Sequence, residues 1–168
     1  MNLELKSVKY TEWMSEETLC FTANLYVDGK VFAEVSSQGH GGSTDFRPHS
    51  KFKLNTTEGA MPFYRQLKEV EAHCEAMPNL EPCELFDEGL PMGLELWCNM
   101  EVESWLARRD LNRKLKRHVL FQMEGKNGIY QMNYHPTVTD GSWKNGRRIL
   151  NDMPLETALE IWNSRSFN

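Results

Sequence analysis

A β-hairpin between residues 19 and 35 is the feature that most constrains the fold. Apolar and polar residues alternate from Leu19 to Val27, which is the period of a strand with one buried face. The next two residues, Asp28-Gly29, are typical of the type I′ turn, in which both central residues have positive φ. The alternation resumes over residues 31–35. The chain is therefore expected to build an antiparallel sheet within its first 38 residues.

The remaining elements are read from the same kind of periodicity. Residues 3–10 add a strand, and a slip of the alternation before Val8 predicts a β-bulge. A second hairpin is predicted over residues 118–134, with Asn127-Gly128 in its loop. Apolar side chains at steps of three and four predict three helical regions, which are residues 60–77, residues 94–115 with a kink or break near Arg109-Asp110, and residues 155–162.

The order of these elements predicts the fold class. Strands and helices come in runs rather than in alternation, which favours an α+β fold over a parallel α/β fold. We therefore predict an antiparallel sheet of about five strands, in the order βββ-αα-ββ-α, with the helices packed on one face. A length of 168 residues without a repeat or a linker predicts one domain over residues 1–168.

Composition indicates a folded cytoplasmic protein. Five tryptophans, eight phenylalanines and five tyrosines argue against disorder. Residues 1–10 alternate and carry charges, so no signal peptide is predicted, and no apolar run is long enough for a membrane helix. The four cysteines lie far apart without a C-x-x-C pair and are expected to be reduced and mostly buried: Cys20, Cys74, Cys83 and Cys98.

Charge changes sign abruptly in the second half of the chain. Residues 69–107 hold ten acidic side chains and no lysine or arginine, whereas residues 108–117 hold six basic side chains and one acid. The net charge of −5 does not indicate a general nucleic-acid binder, but it leaves room for a local basic patch. The predicted patch would bind phosphate or an acidic protein surface, and its residues are Arg108, Arg109, Arg113, Lys114, Lys116 and Arg117, extended by Arg147 and Arg148. The alternative is a solvated helix end whose cations complement the helix dipole.

A glycine-rich loop is the second candidate binding site. Glycine lets successive backbone N–H groups converge on an anion, which predicts a site at Gly39, His40, Gly41, Gly42 and Ser43. The loop is neither a G-x-x-x-x-G-K-[ST] phosphate loop nor a G-x-G-x-x-G motif. Its HGG sequence is shared with hydrolase oxyanion loops, but the chain has no G-x-S-x-G nucleophile elbow. Two alternatives remain, a recognition loop for a partner and a connection without a ligand.

The histidines do not indicate a metal site or a catalytic centre. His40 and His49 match no zinc spacing, and the H-x-T sequence at His135 lacks the second copy that a two-histidine phosphoesterase needs. We therefore predict no metal, no cofactor and no catalytic residue. A small hydrolase is the least favoured alternative, and it would be centred either on His135 or on His40, Ser43 and Asp45.

Four stretches of the chain carry a resemblance to a known family. These are SEETLCFTANLYVDGK at 15–30, GHGG at 39–42, KLKRHVLF at 114–121 and ILNDMPLETAL at 149–159. Together they resemble a small uncharacterised family of bacteriophages, plasmids and related mobile elements. The resemblance implies a biological context, because small acidic proteins of such elements often act as stoichiometric antagonists of host defence, anti-CRISPR proteins among them. It assigns no functional residue, since fold and context do not by themselves define a site.

Two binding functions follow from the charge pattern and the resemblance. The first is a stoichiometric antagonist or adaptor in the bacterial cytoplasm, which binds a host protein or ribonucleoprotein such as a CRISPR-like complex through its charged surfaces. The alternative is a nucleic-acid or nucleotide-binding module that uses residues 108–117 and the loop at residues 39–44. The sequence leaves the oligomeric state open.

Overall fold

A computed structural model of the chain describes residues 1–52, 56–82, 84, 86–126, 128–133 and 146–164. Within these residues the fold is α+β, with three helices and seven strands, which confirms the predicted class. The strands form an antiparallel sheet of four and a separate antiparallel sheet of three, rather than a single sheet of about five. Two of these strands are so short that they give no alternating signal in the sequence.

The four-stranded sheet is a meander of consecutive strands. They are paired in the order β1 (Leu3–Tyr10), β2 (Cys20–Val27), β3 (Lys30–Gln38) and β4 (Asp45–Pro48). The turn between β2 and β3 has φ of 48° at Asp28 and 77° at Gly29, so the positive φ values of the predicted type I′ turn are confirmed. The β1–β2 register shifts between Lys6 and Lys9, which confirms the bulge.

The three-stranded sheet contains the second predicted hairpin. Strand β5 (His118–Met123) lies in the middle and pairs with β6 (Tyr130–Asn133) on one side and with β7 (Arg147–Ile149) on the other. The hairpin is confirmed, although Asn127 of its loop lies outside the described residues. Strand β7 was not among the predicted elements, because three residues that include two arginines carry no strand pattern.

The three predicted helices are present as α1 (Thr57–Glu75), α2 (Leu94–Arg117) and α3 (Leu155–Asn163). Helix α1 begins where the side-chain oxygen of Thr56 accepts a hydrogen bond from the Gly59 N–H at 3.1 Å. Helix α2 runs without interruption through Arg109-Asp110, so the predicted break into two helices is wrong. The alternative, a kink at that point, stays a prediction.

The break was suggested by a change in the buried face of α2. Leu94, Cys98 and Val102 are buried early in the helix and Leu111 is buried later. Since each residue turns a helix by about 100°, Val102 and Leu111 point in opposite directions. The positions of the apolar residues therefore shift along α2 because a different side of the helix is buried in its second half. The shift does not mean that the helix ends there.

The chain divides into two compact units, Met1–Glu103 and Ser104–Asn168, with the division inside α2. The first unit buries one face of its sheet, on which Phe32 stacks against Phe63 of α1 with 5.0 Å between ring centroids. Phe52 meets Phe63 edge-on at 5.3 Å. The prediction of one 168-residue domain stays a prediction, because two units that share one helix are compatible with either domain count.

The second unit has a core of its own, built where α2, β5 and α3 contribute apolar side chains. Its buried residues are Leu111, Leu120, Leu150, Ala158, Leu159, Ile161 and Trp162. The set combines positions of two helices with Leu120 of β5 and with Leu150 of the 3₁₀ turn that follows β7, so it forms only when the chain folds back.

The three described cysteines are free. Cys74 and Cys98 are fully buried, and burial raises the pKa of both thiols, which favours an inert packing role. Cys20 is half-buried, and Cys83 lies outside the described residues. In the described part of the chain, no helix is both long enough and apolar enough to cross a membrane.

Candidate functional site

A tight turn between β1 and β2 presents an exposed tryptophan. Residues Glu12–Met14 form a single 3₁₀ turn, on which Trp13 is 82% exposed. The Ser15 hydroxyl donates to the Thr11 carbonyl at 2.9 Å and accepts from the Cys20 N–H at 2.8 Å. These bonds tie both ends of the turn to the sheet, so the backbone that carries Trp13 is well fixed.

The carbonyl of Gly39 holds the rest of this segment, which we name the Trp13 loop (residues 11–18). It accepts hydrogen bonds from the N–H groups of Glu16, Glu17 and Thr18 at 3.0, 2.9 and 3.3 Å. Gly39 is buried and has a φ of +86°, and a Cβ at this position would overlap the carbonyl oxygen of Met14. The first glycine of the predicted anion site is therefore required by packing.

The next residues of the glycine loop also bind the Trp13 loop. The Gly41 N–H donates to the Thr18 hydroxyl at 3.3 Å, and a Cβ at Gly41 would overlap the Glu17 carboxylate. His40 Nδ1 lies 3.2 Å from Oε2 of Glu16. The carboxylates of Glu16 and Glu17 therefore lie beside His40 and Gly41, and their negative charge argues against an anion there. The two other residues of the predicted site are exposed, Gly42 and Ser43.

The hydrolase alternative gains no support from the described residues. No hydrogen bond joins His40, Ser43 and Asp45, and His135 lies outside the described part of the chain. Thr44, the buried residue of this stretch, donates from its N–H and its hydroxyl to Glu95 Oε1 at 2.8 and 2.9 Å. Among the described residues, no group of three or more histidine, cysteine or acidic side chains could hold a metal ion.

A pocket of about 380 Å³ lies beside the Trp13 loop in the first unit; we name it the acidic pocket. Three carboxylates line it, those of Glu16, Glu17 and Glu103, and its other lining residues are Tyr10, Ser15, Thr18, Leu19 and Asn99. The first unit carries 18 acidic and 8 basic side chains, a formal charge of −10. This surface is suited to a cationic side chain of a partner.

A second pocket, of about 340 Å³, lies at the C-terminal end of α2 in the second unit; we name it the basic pocket. Arg113, Lys114 and Arg117 line it, and their spacings of three and four place them on one helix face. The remaining lining residues are Asp110, His118 and Trp162. The second unit carries 6 acidic and 11 basic side chains, a formal charge of +5.

The charges in the basic pocket are largely uncompensated. Among the described residues, Arg113 and Arg117 have no carboxylate within ion-pair distance. Lys114 Nζ lies 3.4 Å from the side-chain oxygen of Gln131 and 5.5 Å from the centroid of a Trp162 ring. The one acid of the pocket, Asp110, also has Nη2 of Arg109 at 3.3 Å. Three cations therefore share a pocket with one carboxylate that is already paired.

The other cations of the predicted patch make contacts elsewhere. Both terminal nitrogens of Arg108 bind the Glu156 carboxylate, one of them at 2.9 Å, and this hydrogen bonding raises the pKa of Arg108 and lowers the pKa of Glu156. The guanidinium of Arg109 lies 5.1 Å from the centroid of a Trp105 ring. Lys116 is exposed on α2 and does not line the pocket.

Arg147 and Arg148 do not extend the basic pocket. They lie on β7 opposite Met123 and Gln122, at the end of β5 remote from His118. His118 and Met123 are five residue positions apart along the strand, which is about 17 Å. The Arg147 guanidinium lies 5.5 Å from the centroid of the Phe121 ring.

Asn151 fixes the wall of the basic pocket. Its side-chain N–H groups donate to the carbonyls of Leu115 and His118, each at 3.0 Å, and its side-chain oxygen accepts from the Leu120 N–H at 2.8 Å. One side chain thus joins the last turn of α2 to the first residues of β5, which positions the neighbouring cations.

Trp13, His118, Asn151 and Trp162 belong to these sites but carry no motif. The available signal for Trp13 is a tryptophan in a mostly polar segment, TEWMSEE, without strand or helix periodicity. For the other three residues no local signal exists, because their role depends on which parts of the chain meet in the fold.

Comparison with protein-family models, with curated proteins and with solved structures finds no match to this chain. Two surfaces of the molecule are the candidate sites, one acidic with an exposed tryptophan and one basic and concave.

Proposed function

We propose that this chain is a stoichiometric protein-binding antagonist or adaptor of a bacteriophage or mobile element. In the proposal it acts in the cytoplasm of a bacterial host and occupies a basic groove of a host protein or ribonucleoprotein, such as a CRISPR-like defence complex. The observation that carries the proposal is Trp13, 82% exposed on a hydrogen-bonded turn of a strongly acidic unit.

The first support is the cost of leaving Trp13 in water. Single exposed apolar residues are common on protein surfaces, but tryptophan is the residue type most enriched at the energetic centres of interfaces. Because the Trp13 loop is already held by Ser15 and Gly39, binding would order little additional backbone. A fixed, exposed tryptophan is therefore well suited to serve as an anchor in a partner's pocket.

The second support is the sign of the surrounding charge. Glu12, Glu16 and Glu17 belong to the same loop and are exposed, and the acidic pocket opens beside them. A partner surface of the opposite sign would gain in association rate and specificity. Basic grooves of this kind normally hold nucleic acid, so the first unit would compete with nucleic acid for the groove.

The test is a pull-down of tagged full-length protein from bacterial lysate, with Trp13→Ala as the variant. Met61→Ala is the matched control, because Met61 is also exposed and apolar, lies in the same unit and is outside the Trp13 loop. We expect a near-stoichiometric partner whose capture is lost in Trp13→Ala, is lost in Glu16→Lys/Glu17→Lys and is kept in Met61→Ala. Equal capture by Trp13→Ala and by the unaltered chain would refute the proposal.

The nucleic-acid or nucleotide alternative now depends on the basic segment alone. The glycine loop binds the Trp13 loop and lies among carboxylates, so it offers little to a phosphate. The specific observation that favours this alternative is the basic pocket of the second unit.

A further inference from the structure

We infer that the basic pocket is a binding site for a small phosphorylated molecule, such as a phosphomonoester or a nucleoside monophosphate. The inference concerns the second unit and does not depend on partner binding by the Trp13 loop. It rests on how many cations line the pocket, on where they lie, and on the absence of a carboxylate within ion-pair distance of Arg113 and Arg117 among the described residues.

Three cationic hydrogen-bond donors converge on the basic pocket. Arg113 and Arg117 are one helical turn apart, with Lys114 on the same face, so their side chains reach one concavity. Guanidinium groups bind phosphate oxygens with paired hydrogen bonds, and an ammonium adds a compact charge. Two guanidiniums and one lysine thus offer three cationic donor groups to the three terminal oxygens of a phosphate, whose charge is about −2.

His118 lines the same pocket. Its Nδ1 is shielded from solvent and has no hydrogen-bond partner among the described residues. Buried polar atoms without a partner are uncommon in folded proteins, and each calls for an explanation. Because this nitrogen is shielded from the solvent that fills the pocket, a phosphate oxygen would reach it only if the His118 ring turned on binding.

The distribution of unpaired cations favours a small ligand over a nucleic-acid strand. A strand needs unpaired cations along several phosphates and exposed rings on which bases stack. Here Arg108 is bound to Glu156, and Arg109 is occupied by Asp110 and Trp105. Arg147 and Arg148 lie at the other end of β5. Positive charge is thus concentrated in one pocket and does not form a track.

The size of the pocket supports the same conclusion. A volume of about 340 Å³ is near the lower limit of ligand pockets, which range from roughly 300 to 1,000 Å³. Trp162 is 4% exposed and therefore contributes a wall rather than a platform for stacked bases. The pocket suits one phosphate with a modest attached group.

The test is a titration of the full chain with inorganic phosphate, with a nucleoside monophosphate and with the uncharged nucleoside, at constant chloride. Binding is followed in the amide spectrum and in the ring signals of His118. We expect saturable binding of both phosphates in the millimolar range or below, with a shift of the His118 signals, and no binding of the nucleoside.

The charge variants decide where binding occurs. Arg113→Gln/Arg117→Gln should weaken phosphate binding by at least about ten-fold, since it removes both free guanidiniums. Lys116→Gln/Arg148→Gln removes the same charge outside the pocket and should change the affinity by less than about two-fold. Trp13→Ala should leave phosphate binding unchanged, which separates this inference from the proposed function.

Three results would overturn the inference. The first is the absence of saturable phosphate binding, and the second is equal weakening in the two double variants. The third is a single-stranded oligonucleotide that binds more tightly than the monophosphate, with a steep salt dependence and a requirement for Arg148. That third result would assign the surface to nucleic acid instead.

Discussion

In the first unit one backbone carbonyl, that of Gly39, holds residues 16–18 of the Trp13 loop, whereas in the second unit one side chain, that of Asn151, joins the two elements that carry the basic pocket. Gly39 accepts three hydrogen bonds and Asn151 makes three. Position 39 needs a residue without a side chain, whereas position 151 needs a side chain with a hydrogen-bond donor and an acceptor. The two surfaces are thus fixed by different chemistry.

The charges of the two units differ as much as their anchors. The first unit has a formal charge of −10 and the second of +5, so the overall charge of −5 describes neither. The contrast shows that net charge is a poor guide to partners when acids and bases are segregated along the chain. The following changes test each side of the comparison, from the largest expected effect to the smallest.

Gly39→Ala should have the largest effect. The new Cβ would overlap the Met14 carbonyl oxygen, and the backbone φ of +86° is unfavourable for a residue with a side chain. We expect a loss of about 3 kcal/mol or more in the free energy of unfolding, measured by urea denaturation.

Gly42→Ala is the matched control in the same loop. A Cβ at Gly42 meets nothing within 4 Å, and its φ is not in the left-handed region. The expected change is within about 0.5 kcal/mol. A similar loss in both variants would show that the loop tolerates no side chain at all, and the assigned role of Gly39 would fall.

Asn151→Ala should have the next largest effect on stability. The substitution leaves the Leu120 N–H and the carbonyls of Leu115 and His118 without their partner. We expect a loss of about 2 to 3 kcal/mol in the free energy of unfolding. Asn163→Ala, at the exposed end of α3, should be nearly neutral. If urea unfolding of Asn151→Ala matched that of the unaltered chain, Asn151 would not be the anchor of the second unit.

The Arg108–Glu156 ion pair should give the smallest effect, because both side chains are substantially exposed. A carbon-detected titration of Glu156 should yield a pKa below its ordinary value of 4.5, and Arg108→Gln should return it toward that value. Since the folded pKa is the lower one, the pair stabilises the fold above the unfolded pKa, and this contribution is lost as the pH falls through the folded pKa. Arg113→Gln should leave the Glu156 titration unchanged, whereas a shift equal to that of Arg108→Gln would contradict the separation of paired and free arginines.

Much of the local structure could be predicted from the sequence. The alternation of β2 and β3, the Asp28-Gly29 turn and the bulge in β1 are each set by residues close in the chain. Strands β4 and β7 could not be predicted, because three or four residues pair only when a longer neighbouring strand offers them an edge. The uninterrupted α2 was hidden by its change of buried face.

The candidate sites were harder to predict than the fold. A run of six cations in residues 108–117 is visible in the sequence, but the binding of Arg108 to Glu156, 48 residues away, is not. Likewise, the glycines at residues 39–42 are visible, but whether they offer N–H groups to a ligand or a carbonyl to the chain itself is decided by tertiary contacts. The sequence therefore indicated where the charged and glycine-rich segments lie, but not which of their groups are left without a partner inside the protein.

Helix α2 has a practical consequence for dividing this protein. The division between the units falls at Glu103, in the middle of Leu94–Arg117, so no loop separates them. A gene fragment cut at that point would end each half in an open helical turn, with four backbone groups deprived of their partners. Only overlapping fragments that both retain the whole helix would preserve it, so neither charged unit can be cut out at the division without opening α2.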